Sequence, residues 1–519
     1  MSIVALGVAV AVLFVIGAIS AASGYAKFAG SVFKKVSATL PTSQDATALD
    51  RHAVSLLADR QQDSGLMLIT SNLSAFAARV LNARAAERSL DLMYYMWNAD
   101  LTGKLIMHEV IAAADRGVRV RLLLDDVGVS IPDRAFHAID CHPNIELRLF
   151  NPTKARENFV HRGLEMLLRF RSVNRRMHNK AWITDGRIAI VGGRNIGDAY
   201  FDAAEQANFR DFDLVGVGQM ATATGTIFDE YWNSEVALPV RALLAARPNK
   251  LNRLRVVLED LAGSEAAKPY LEKVRLEGSI EELLNNTDLL WPSDVQVHAD
   301  PPEKAAGRLR RGQNTLMDIL LPVMTGARSD LKITSPYFIP GDKGAASLTK
   351  LVRDGTQVSV LTNSLAATDV AAVHGGYARY RKPLISGGVR LFELRPTCEQ
   401  GKFSLRGSGQ ASLHTKAFTR DGEIGFIGSL NLDPRSVSLN TEMGISFRSP
   451  ALVTKMNATF AEEISPSMSY AVSIDEGKEL SWTGAHQGNL VTTQRDPDAS
   501  TIRRMTAWAM GWLPLESQL

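Results

Sequence analysis

Two groups of polar and small residues occur at identical spacing in this 519-residue chain, far apart in the sequence. In each group a lysine follows a histidine by two positions, and an aspartate, two small residues and an asparagine come after at fixed intervals. The groups are His178, Lys180, Asp185, Gly192, Gly193 and Asn195, and His414, Lys416, Asp421, Gly428, Ser429 and Asn431. Packing alone would repeat apolar positions, so repeated polar residues indicate shared chemistry.

These residue types suit the transfer of a group through phosphorus. One neutral imidazole can attack phosphorus while a second, protonated imidazole donates to the leaving oxygen. Lysine ammonium and asparagine amide groups bind the oxyanions that develop. Because this chemistry needs no metal ligand, we expect neither a metal nor another cofactor, and one site built from both groups.

The histidine and lysine of each group are expected on one face of a strand, because residues 177–183 and 413–418 alternate in character. The Asp-Gly pairs that begin at Asp185 and Asp421 predict hairpin turns. We therefore expect these two aspartates of the catalytic motif to be structural and distant from the chemistry.

Beyond the turns, each chain segment is expected to return to the site as a second strand. The small residues at its end would let phosphate approach the backbone, and the asparagines would donate to it. The predicted phosphate-binding positions are Gly193, Ser429, Asn195 and Asn431.

An imidazole that acts on phosphorus needs an acceptor on its other ring nitrogen. Glu442 supplies a carboxylate in the second half of the chain. In the first half Asp211 and Asp213 share one face of an alternating strand. We favour Asp211 as the residue that orients the first-half histidine, with Asp213 as the alternative.

The similarity between the two parts of the chain extends beyond the polar groups. SLDLMYYMW (89–97) matches DLKITSPYF (330–338), and MHNKAWITDGRIAIVGGRN (177–195) matches LHTKAFTRDGEIGFIGSLN (413–431). Matches of this kind recur in the same order at an offset of roughly 240 residues, which predicts two related halves. Each half alternates strands with helices, which predicts an α/β fold with a central sheet in each half.

The repeat and the apolar N-terminus predict an anchor or signal segment followed by two halves, each with one motif. The segment covers 1–26, the first half 27–285 with its motif at 172–199, and the second half 286–519 with its motif at 408–435. Residues 248–302 have no counterpart in the other half, so we interpret them as the connection.

The composition excludes several classes of protein. A chain that is 45% hydrophobic and 22% charged can bury a core, which excludes a disordered protein. Lys and Arg total 58 against 55 Asp and Glu, a net charge of +3 that does not suggest a nucleic-acid-coating protein. Two distant cysteines, Cys141 and Cys398, exclude a disulfide framework and a cysteine-rich zinc site.

The N-terminus is long and apolar enough to cross a membrane. Ile3–Ala22 is almost wholly apolar, and as a helix its length reaches ~30 Å, about the hydrocarbon thickness. We favour an uncleaved single span in the cell (inner) membrane, and the alternative is a cleaved signal peptide of a secreted or periplasmic protein. Lys27, Lys34 and Lys35 follow the span, which favours a cytoplasmic position for the rest of the chain.

Both polar groups resemble the paired HKD motifs of the phospholipase D superfamily. Within it, FRDFDLVGVG (209–218), SPYFIPGDKG (335–344) and WLPLESQL (512–519) most resemble bacterial cardiolipin synthases of the C type. The resemblance implies two α/β halves that share one active site at a pseudo-twofold interface, and a covalent phosphohistidine intermediate.

The resemblance also implies roles for individual residues. His178 would be the nucleophile and His414 the general acid, and the phosphate would bind Lys180, Lys416, Asn195 and Asn431. The implied activity is transfer of a phosphatidyl group from one phospholipid to the hydroxyl of phosphatidylglycerol, which forms cardiolipin.

Two further features have two interpretations each, and a third has one. Basic clusters at 169–176 and 308–311 either contact anionic head groups or form a solvated face. The stretch Ile502–Leu515, with Trp508 and Trp512, either lies in the membrane interface or docks on the core. Residues 377–382 resemble a substrate-facing helix that Pro383 would end, although spacing alone leaves this open.

The first hypothesis is therefore a membrane-anchored phosphatidyltransferase that acts on phospholipid substrates. A hydrolytic phospholipase D that releases phosphatidic acid is the alternative, because the chemistry differs only in the second step. A nuclease of the same superfamily is disfavoured by the near-neutral charge and the anchor, so no nucleic-acid partner is expected. A non-catalytic lipid-binding scaffold is disfavoured by two intact motifs. The oligomeric state stays open.

Overall fold

Each half of the chain builds its own central sheet with helices packed on it. The computed structural model describes residues 3–60, 63–245, 248–286, 289–396 and 410–512. The segment 513–519 of the C-terminal tail, Cys398 and the first two residues of the second motif range lie outside the described residues.

The N-terminal part and the first half contain eleven α-helices and nine strands among the described residues. The helices are α1 (Ile3–Ser31), α2 (Ala48–Leu56), α3 (Asn72–Ala85), α4 (Leu101–Asp115), α5 (Asp133–Asp140), α6 (Phe159–Leu168), α7 (Phe170–Val173), α8 (Gln219–Asn233), α9 (Leu251–Ala262), α10 (Lys268–Glu277) and α11 (Ile280–Asn286). The strands are β1 (Ser64–Ile69), β2 (Ser89–Tyr94), β3 (Arg119–Asp125), β4 (Ile145–Phe150), β5 (Ala181–Thr184), β6 (Ile188–Gly192), β7 (Asn208–Arg210), β8 (Asp213–Gly218) and β9 (Ala237–Pro239).

The second half adds eight helices and eleven strands within its described residues. The helices are α12 (Glu303–Ala306), α13 (Leu316–Thr325), α14 (Gly341–Arg353), α15 (Ala371–Ala378), α16 (Arg381–Ser386), α17 (Pro434–Ser438), α18 (Pro450–Glu463) and α19 (Thr501–Trp512). The strands are β10 (Ser293–Ala299), β11 (Asp330–Thr334), β12 (Gln357–Asn363), β13 (Arg390–Leu394), β14 (Ala411–Leu413), β15 (Ala417–Arg420), β16 (Ile424–Gly428), β17 (Met443–Arg448), β18 (Ser469–Ile474), β19 (Leu480–His486) and β20 (Asn489–Thr493).

The two sheets have the same topology. The first has the order β1-β8-β6-β5-β2-β3-β4-β9, and the second has the order β10-β17-β16-β15-β11-β12-β13-β18-β19-β20. Three neighbouring strands are parallel in each sheet, β2 to β4 and β11 to β13, and their other neighbours are antiparallel. The α/β fold in two related halves is thereby confirmed, and the hairpin β19–β20 extends only the second sheet.

The predicted connection at 248–302 is more than a linker. Helices α9 and α10 pack on α4 and α3 of the first half, and β10 forms the edge of the second sheet beside β17. Val295 and Val297 of β10 pack against the apolar cluster between the halves. Alternating apolar residues in a strand can bury one face against such a cluster, which explains why this segment joins the sheet.

An apolar cluster joins the two halves into one unit. It includes Met177 and Ala181 from the first half, and Ala417, Ile427 and Met443 from the second. All five side chains are buried. The residues that border the two motifs therefore pack on each other across the interface.

The termini provide two helices with exposed apolar surface. Within α1, Ala11–Ser31 is long and apolar enough to cross a membrane. At the other end, α19 packs on α15 with Ala507 buried, while Ile502, Met505 and Trp508 are exposed. One face of α19 thus docks on the core, and its other face carries the apolar residues expected of an interfacial helix.

Candidate active site

Strand pairing between the halves positions both histidines. Strand β14, which precedes His414, pairs in parallel with β7 of the first half, and the His414 N–H donates to the Arg210 carbonyl at 2.8 Å. The equivalent bridge joins Met177 to Thr441, and the His178 N–H donates to the Thr441 carbonyl at 2.9 Å. Each histidine therefore lies where its chain passes from contact with the other half into its own sheet.

Because of this pairing, the strands that alternation predicted over 177–183 and 413–418 are shorter in the structure. Strand β5 begins only at Ala181, and β15 begins only at Ala417. The His-x-Lys segments lie just before these strands, because their preceding residues pair with the other half. The returning strands and the Asp-Gly turns occur as predicted, with Asp185 and Asp421 at φ of 52° and 53°.

A buried carboxylate from the opposite half binds Nδ1 of each histidine. Glu442 Oε2 lies 2.8 Å from Nδ1 of His178, and Asp211 Oδ2 lies 2.5 Å from Nδ1 of His414. The prediction that Asp211 orients the first-half histidine is wrong. The crossed pairing arises because Asp211 directly follows β7, which lies beside the strand that leads to His414.

The alternative residue, Asp213, has a structural role. Its Oδ2 accepts a hydrogen bond from the Arg79 guanidinium at 2.9 Å and lies 3.3 Å from Arg194 Nη1. All three side chains are buried. Asp213 thus neutralises two buried arginines of the first half and does not contact the imidazole.

Aromatic rings surround the two imidazoles. The Tyr95 ring lies edge-on to His178 at a centroid distance of 5.0 Å, and Tyr200 and Phe209 lie 5.1 Å and 5.0 Å from His414. These neighbours were missed from the sequence. Tyr95 belongs to the aromatic end of the 89–97 segment, where the pattern indicated only the end of a strand.

The two lysines are buried and interact electrostatically with both carboxylates. Lys180 Nζ donates to the His178 carbonyl at 2.5 Å, and Lys416 Nζ donates to the His414 carbonyl. Burial lowers the pKa of Lys416 to about 8 and lowers the pKa of Lys180 well below its usual value, although Asp211 and Glu442 oppose the shifts. The site therefore holds two buried amines whose cationic forms are stabilised by Asp211 and Glu442.

Burial and the two lysine charges also control the histidines. Both effects lower the pKa of His178 and of His414 well below the usual value, which favours neutral imidazoles at neutral pH. Burial raises the pKa of Glu442 to about 7 and that of Asp211 to about 6. With Nδ1 bound to a carboxylate, Nε2 is the ring nitrogen left for chemistry on each histidine.

Gly193 and Ser429 contact the groups that orient the histidines, and their predicted role in binding phosphate stays a prediction. A Cβ atom on Gly193 would lie 2.3 Å from Asp211 Oδ1, so glycine makes room for that carboxylate. The Ser429 hydroxyl donates to Glu442 Oε2 at 2.5 Å, and the Ser429 carbonyl lies 3.1 Å from Nδ1 of His178. These two positions therefore hold the orienting groups in place.

The two asparagines differ in their contacts. Asn195 accepts from the Met96 N–H at 3.1 Å and donates to the Tyr200 hydroxyl at 2.8 Å, so both ends of its amide are bound within the protein. The buried Oδ1 of Asn431 has no hydrogen-bond partner among the residues that the structure describes. Of the pair, only Asn431 has a buried side-chain oxygen without a partner among the described residues.

Asp185 and Asp421 lie at the turns, beyond β5 and β15, away from the histidines. Asp185 accepts hydrogen bonds from the backbone N–H groups of Glu87, Arg88 and Ser89 at 3.1, 2.8 and 2.7 Å. Asp421 accepts from the N–H groups of Arg328 and Ser329 in the same way, at 2.9 and 2.7 Å. Each aspartate fastens its hairpin to the segment that enters the central strand, so neither belongs among the reacting groups.

The basic cluster at 169–176 is partly internal. Arg169 and Arg176 are buried and form ion pairs with Glu165 at 2.5 Å and Asp125 at 2.6 Å, while Arg171 is exposed. A buried, paired guanidinium cannot bind a lipid head group. Both interpretations from the sequence are therefore wrong for these two residues.

The segment 377–382 does not present Arg381 to a substrate either. Its guanidinium binds Glu393 at 2.8 Å, Asp496 at 2.7 Å and His374 Nε2 at 2.6 Å, and it is buried. His374, Glu393 and Asp496 are close enough to hold a metal ion, but the guanidinium lies among them and supplies the positive charge. Pro383 lies inside α16 and ends no helix.

Comparison with known proteins agrees with this geometry. A family model described as "Cardiolipin synthase, PLD-like domain" matches residues 81–232 and 320–464. Cardiolipin synthase C of Escherichia coli (strain K12) is 37% identical over 457 residues, which cover 87% of this chain and 95% of the relative. An uncharacterized protein of Helicobacter pylori (strain ATCC 700392 / 26695) is 30% identical and covers 92% of this chain and 94% of its own length.

A solved structure has the same fold. Phosphatidylserine synthase of Haemophilus influenzae Rd KW20 superposes with a TM-score of 0.54 at 14% identity, over 81% of this chain and 91% of that protein. Because it covers 81% of the chain, the likeness in fold extends over both halves. With two histidines, two lysines and crossed carboxylates at the interface between the halves, the chain belongs to the cardiolipin synthase family of phospholipase D-like proteins.

Proposed function

We propose that this protein is a membrane-anchored phosphatidyltransferase that forms cardiolipin from phosphatidylglycerol and a second phospholipid. The observation that carries the proposal is the pair of imidazoles, each bound at Nδ1 by a buried carboxylate of the other half, with two buried lysines beside them. This arrangement supplies a nucleophile, an acid and positive charge for one phosphodiester.

In the first step, Nε2 of His178 attacks the phosphorus of the donor phospholipid. An N–P bond forms, the P–O bond to the leaving alcohol breaks, and His414 gives its proton to the leaving oxygen. Glu442 stabilises the positive charge that develops on the His178 ring, and the two lysines stabilise the phosphoryl oxygens. The product is a phosphatidyl-histidine and a free head-group alcohol.

The acid role of His414 requires a proton that the lysines disfavour before the donor binds. The positive charges of Lys416 and Lys180 lower the pKa of His414. A bound phosphodiester anion offsets these charges and thereby raises that pKa. Donor binding therefore loads the general acid with its proton.

In the second step, the hydroxyl of phosphatidylglycerol attacks the same phosphorus. The neutral His414 takes the hydroxyl proton, the new P–O bond forms, and the N–P bond to His178 breaks. Water in place of the lipid hydroxyl would release phosphatidic acid instead. The hydrolytic phospholipase D is thus the second candidate, and it uses the same groups.

The contacts of α1 support an uncleaved anchor in the cell membrane. The Arg169 guanidinium lies 3.2 Å from the Tyr25 ring centroid, and the Lys154 ammonium lies 4.8 Å from that of Phe28. Lys34 Nζ donates to the Ser234 carbonyl at 2.9 Å. Cleavage after the apolar run near Ala22 would leave these contacts in place but would remove Gly17, which Leu168 of α6 contacts. We therefore propose an uncleaved single span with the catalytic halves on the cytoplasmic side.

Product analysis tests this function. The full chain, purified and reconstituted in vesicles of phosphatidylglycerol and phosphatidylethanolamine, should form cardiolipin that mass spectrometry detects. His178→Ala, as the matched inactive protein, should form none. Phosphatidic acid without cardiolipin would favour the hydrolytic candidate, and cleavage of added DNA without either lipid product would favour a nuclease.

A further inference from the structure

Helix α6 exposes an apolar surface that nothing in the catalytic site uses. None of its residues is buried, and Phe159, Val160, Leu164 and Leu167 are 90%, 70%, 52% and 56% exposed. In water, exposed large apolar side chains at helical spacing are unfavourable. A surface of this kind calls for a partner that covers it.

The position of α6 identifies the environment that covers this surface. Leu168 Cδ2 lies against Gly17 of α1, 3.4 Å from where a Cβ atom would be, and Arg169 lies over Tyr25. The two contacts are eight residues apart on α1, roughly 12 Å along the helix axis. Because both contacts come from the C-terminal end of α6, this end packs on the apolar helix α1, and the exposed surface of α6 adjoins that of α1.

The chain segments that flank α6 are connected to the catalytic centre. Asn151 Nδ2 donates to the carbonyls of Ser172 and Arg175 at 2.7 and 3.0 Å, which closes the loop that carries α6. Arg176 then binds Asp125 directly before Met177 and His178. These bonds hold α6 in a set position relative to the imidazole.

We propose that α6 lies in the lipid interface beside α1, with Phe159, Val160, Leu164 and Leu167 among the acyl chains just below the head groups. This second membrane contact holds His178 at the level of the substrate phosphates. Lipid is the occupant because the surface adjoins that of α1. The inference rests on the anchoring part of the proposed function and is independent of the reaction.

Depth measurements on the full chain in vesicles test the proposal. Both natural cysteines are replaced by serine, and an environment-sensitive NBD label is attached at Leu164→Cys. The matched control is Val257→Cys on α9, which is 50% exposed and does not belong to this surface. The vesicles contain dioleoylphosphatidylglycerol and dioleoylphosphatidylethanolamine, with or without a lipid spin-labelled near the head group.

The spin-labelled lipid should remove roughly half of the emission at position 164 and little at 257, because interfacial helices lie ~5–10 Å deep. Equal, weak quenching at both positions would overturn the proposal. A blue-shifted label at 164 that spin-labelled lipid does not quench, but that transfers energy to a second labelled copy, would identify a protein partner and also overturn it.

An inactive protein separates this inference from the proposed function. The label at position 164 in a His178→Ala background should be quenched to the same extent, because lipid contact by α6 needs no catalysis. Loss of quenching in this protein would contradict the proposal. Quenching without any cardiolipin formation by the wild-type chain would leave α6 in lipid and reject the enzymatic function alone.

Discussion

Replacing Glu442 by glutamine should abolish most of the activity while leaving the fold intact. The Glu442 carboxylate is fully buried, and its Oε2 lies 2.8 Å from Nδ1 of His178 and accepts from the Ser429 hydroxyl at 2.5 Å. The amide is nearly isosteric but carries no charge. It also offers an NH₂ group that favours the tautomer with the proton on Nε2, which cannot attack phosphorus.

The size of the loss follows from these two contacts. A hydrogen bond to a charged group contributes about 1.5–3 kcal/mol, and glutamine offers the two donors at most a neutral oxygen in place of the charged one. A loss near 4 kcal/mol of transition-state stabilisation corresponds to a decrease in kcat of about 10³-fold at 1.36 kcal/mol per decade. The decrease should appear mainly in kcat, because Glu442 does not contact the lipid in this arrangement.

The assay measures cardiolipin formation in vesicles at a pH where Glu442, with its pKa of about 7, is ionised. Glu393→Gln provides the control, since Glu393 is also a buried glutamate of the second half but binds Arg381 instead of a catalytic histidine. Circular dichroism verifies the fold of both variants. A decrease in kcat below about tenfold for Glu442→Gln, equal to that of the control, would refute the orienting role.

Several further outcomes follow from the site. Gly193→Ala should lower kcat on the order of 10²-fold in the same assay, because its Cβ would displace the Asp211 carboxylate; unchanged kcat would show that this close approach is not needed. The rate should rise with pH as Glu442 ionises near 7 and fall above about 8 as Lys416 loses its proton. Lys416→Arg should move the falling limb to higher pH, and a flat pH–rate profile would contradict both assignments. Asp185→Asn should lower the free energy of unfolding by roughly 1–3 kcal/mol in thermal denaturation and leave kcat unchanged; a loss of kcat without a loss of stability would return Asp185 to the catalytic groups.

Much of the fold was predictable because both halves repeat the same local patterns. Alternating residues and Asp-Gly turns specify hairpins, and the repeat specifies that the two sheets share a topology. The role of β10 was not predictable, because its counterpart β1 has little similarity in sequence. The hairpin β19–β20 has no counterpart in the first half, so the repeat could not indicate it.

The residues that make up the site were predictable, but which carboxylate binds which histidine was not. The spacing of each motif places histidine and lysine together within one half. It says nothing about which half supplies the carboxylate, since in a pseudo-symmetric pair both choices satisfy the same pattern. The bridges between β7 and β14 and between Met177 and Thr441, which decide the matter, join residues about 200 or more positions apart, where local periodicity carries no information.

The buried arginines illustrate the same limit of local patterns. Arg169 and Arg176 belong to a basic cluster whose sequence predicts an exposed surface. In the structure Arg176 is buried and forms an ion pair with Asp125, which lies at the end of β3, far away in the sequence. The sequence did contain an indication that Arg169 is paired, because Glu165 precedes it by four residues, a spacing that brings two side chains together on one face of a helix.

The most direct test of the central claim is to trap the covalent intermediate. The protein is mixed with phospholipid donor in the absence of acceptor lipid and quenched within one turnover, and its peptides are analysed by mass spectrometry. The phosphatidyl adduct should occur on the peptide that contains His178, and it should be absent from Glu442→Gln on this timescale. An adduct on His414, or turnover with no adduct on either histidine, would contradict the mechanism.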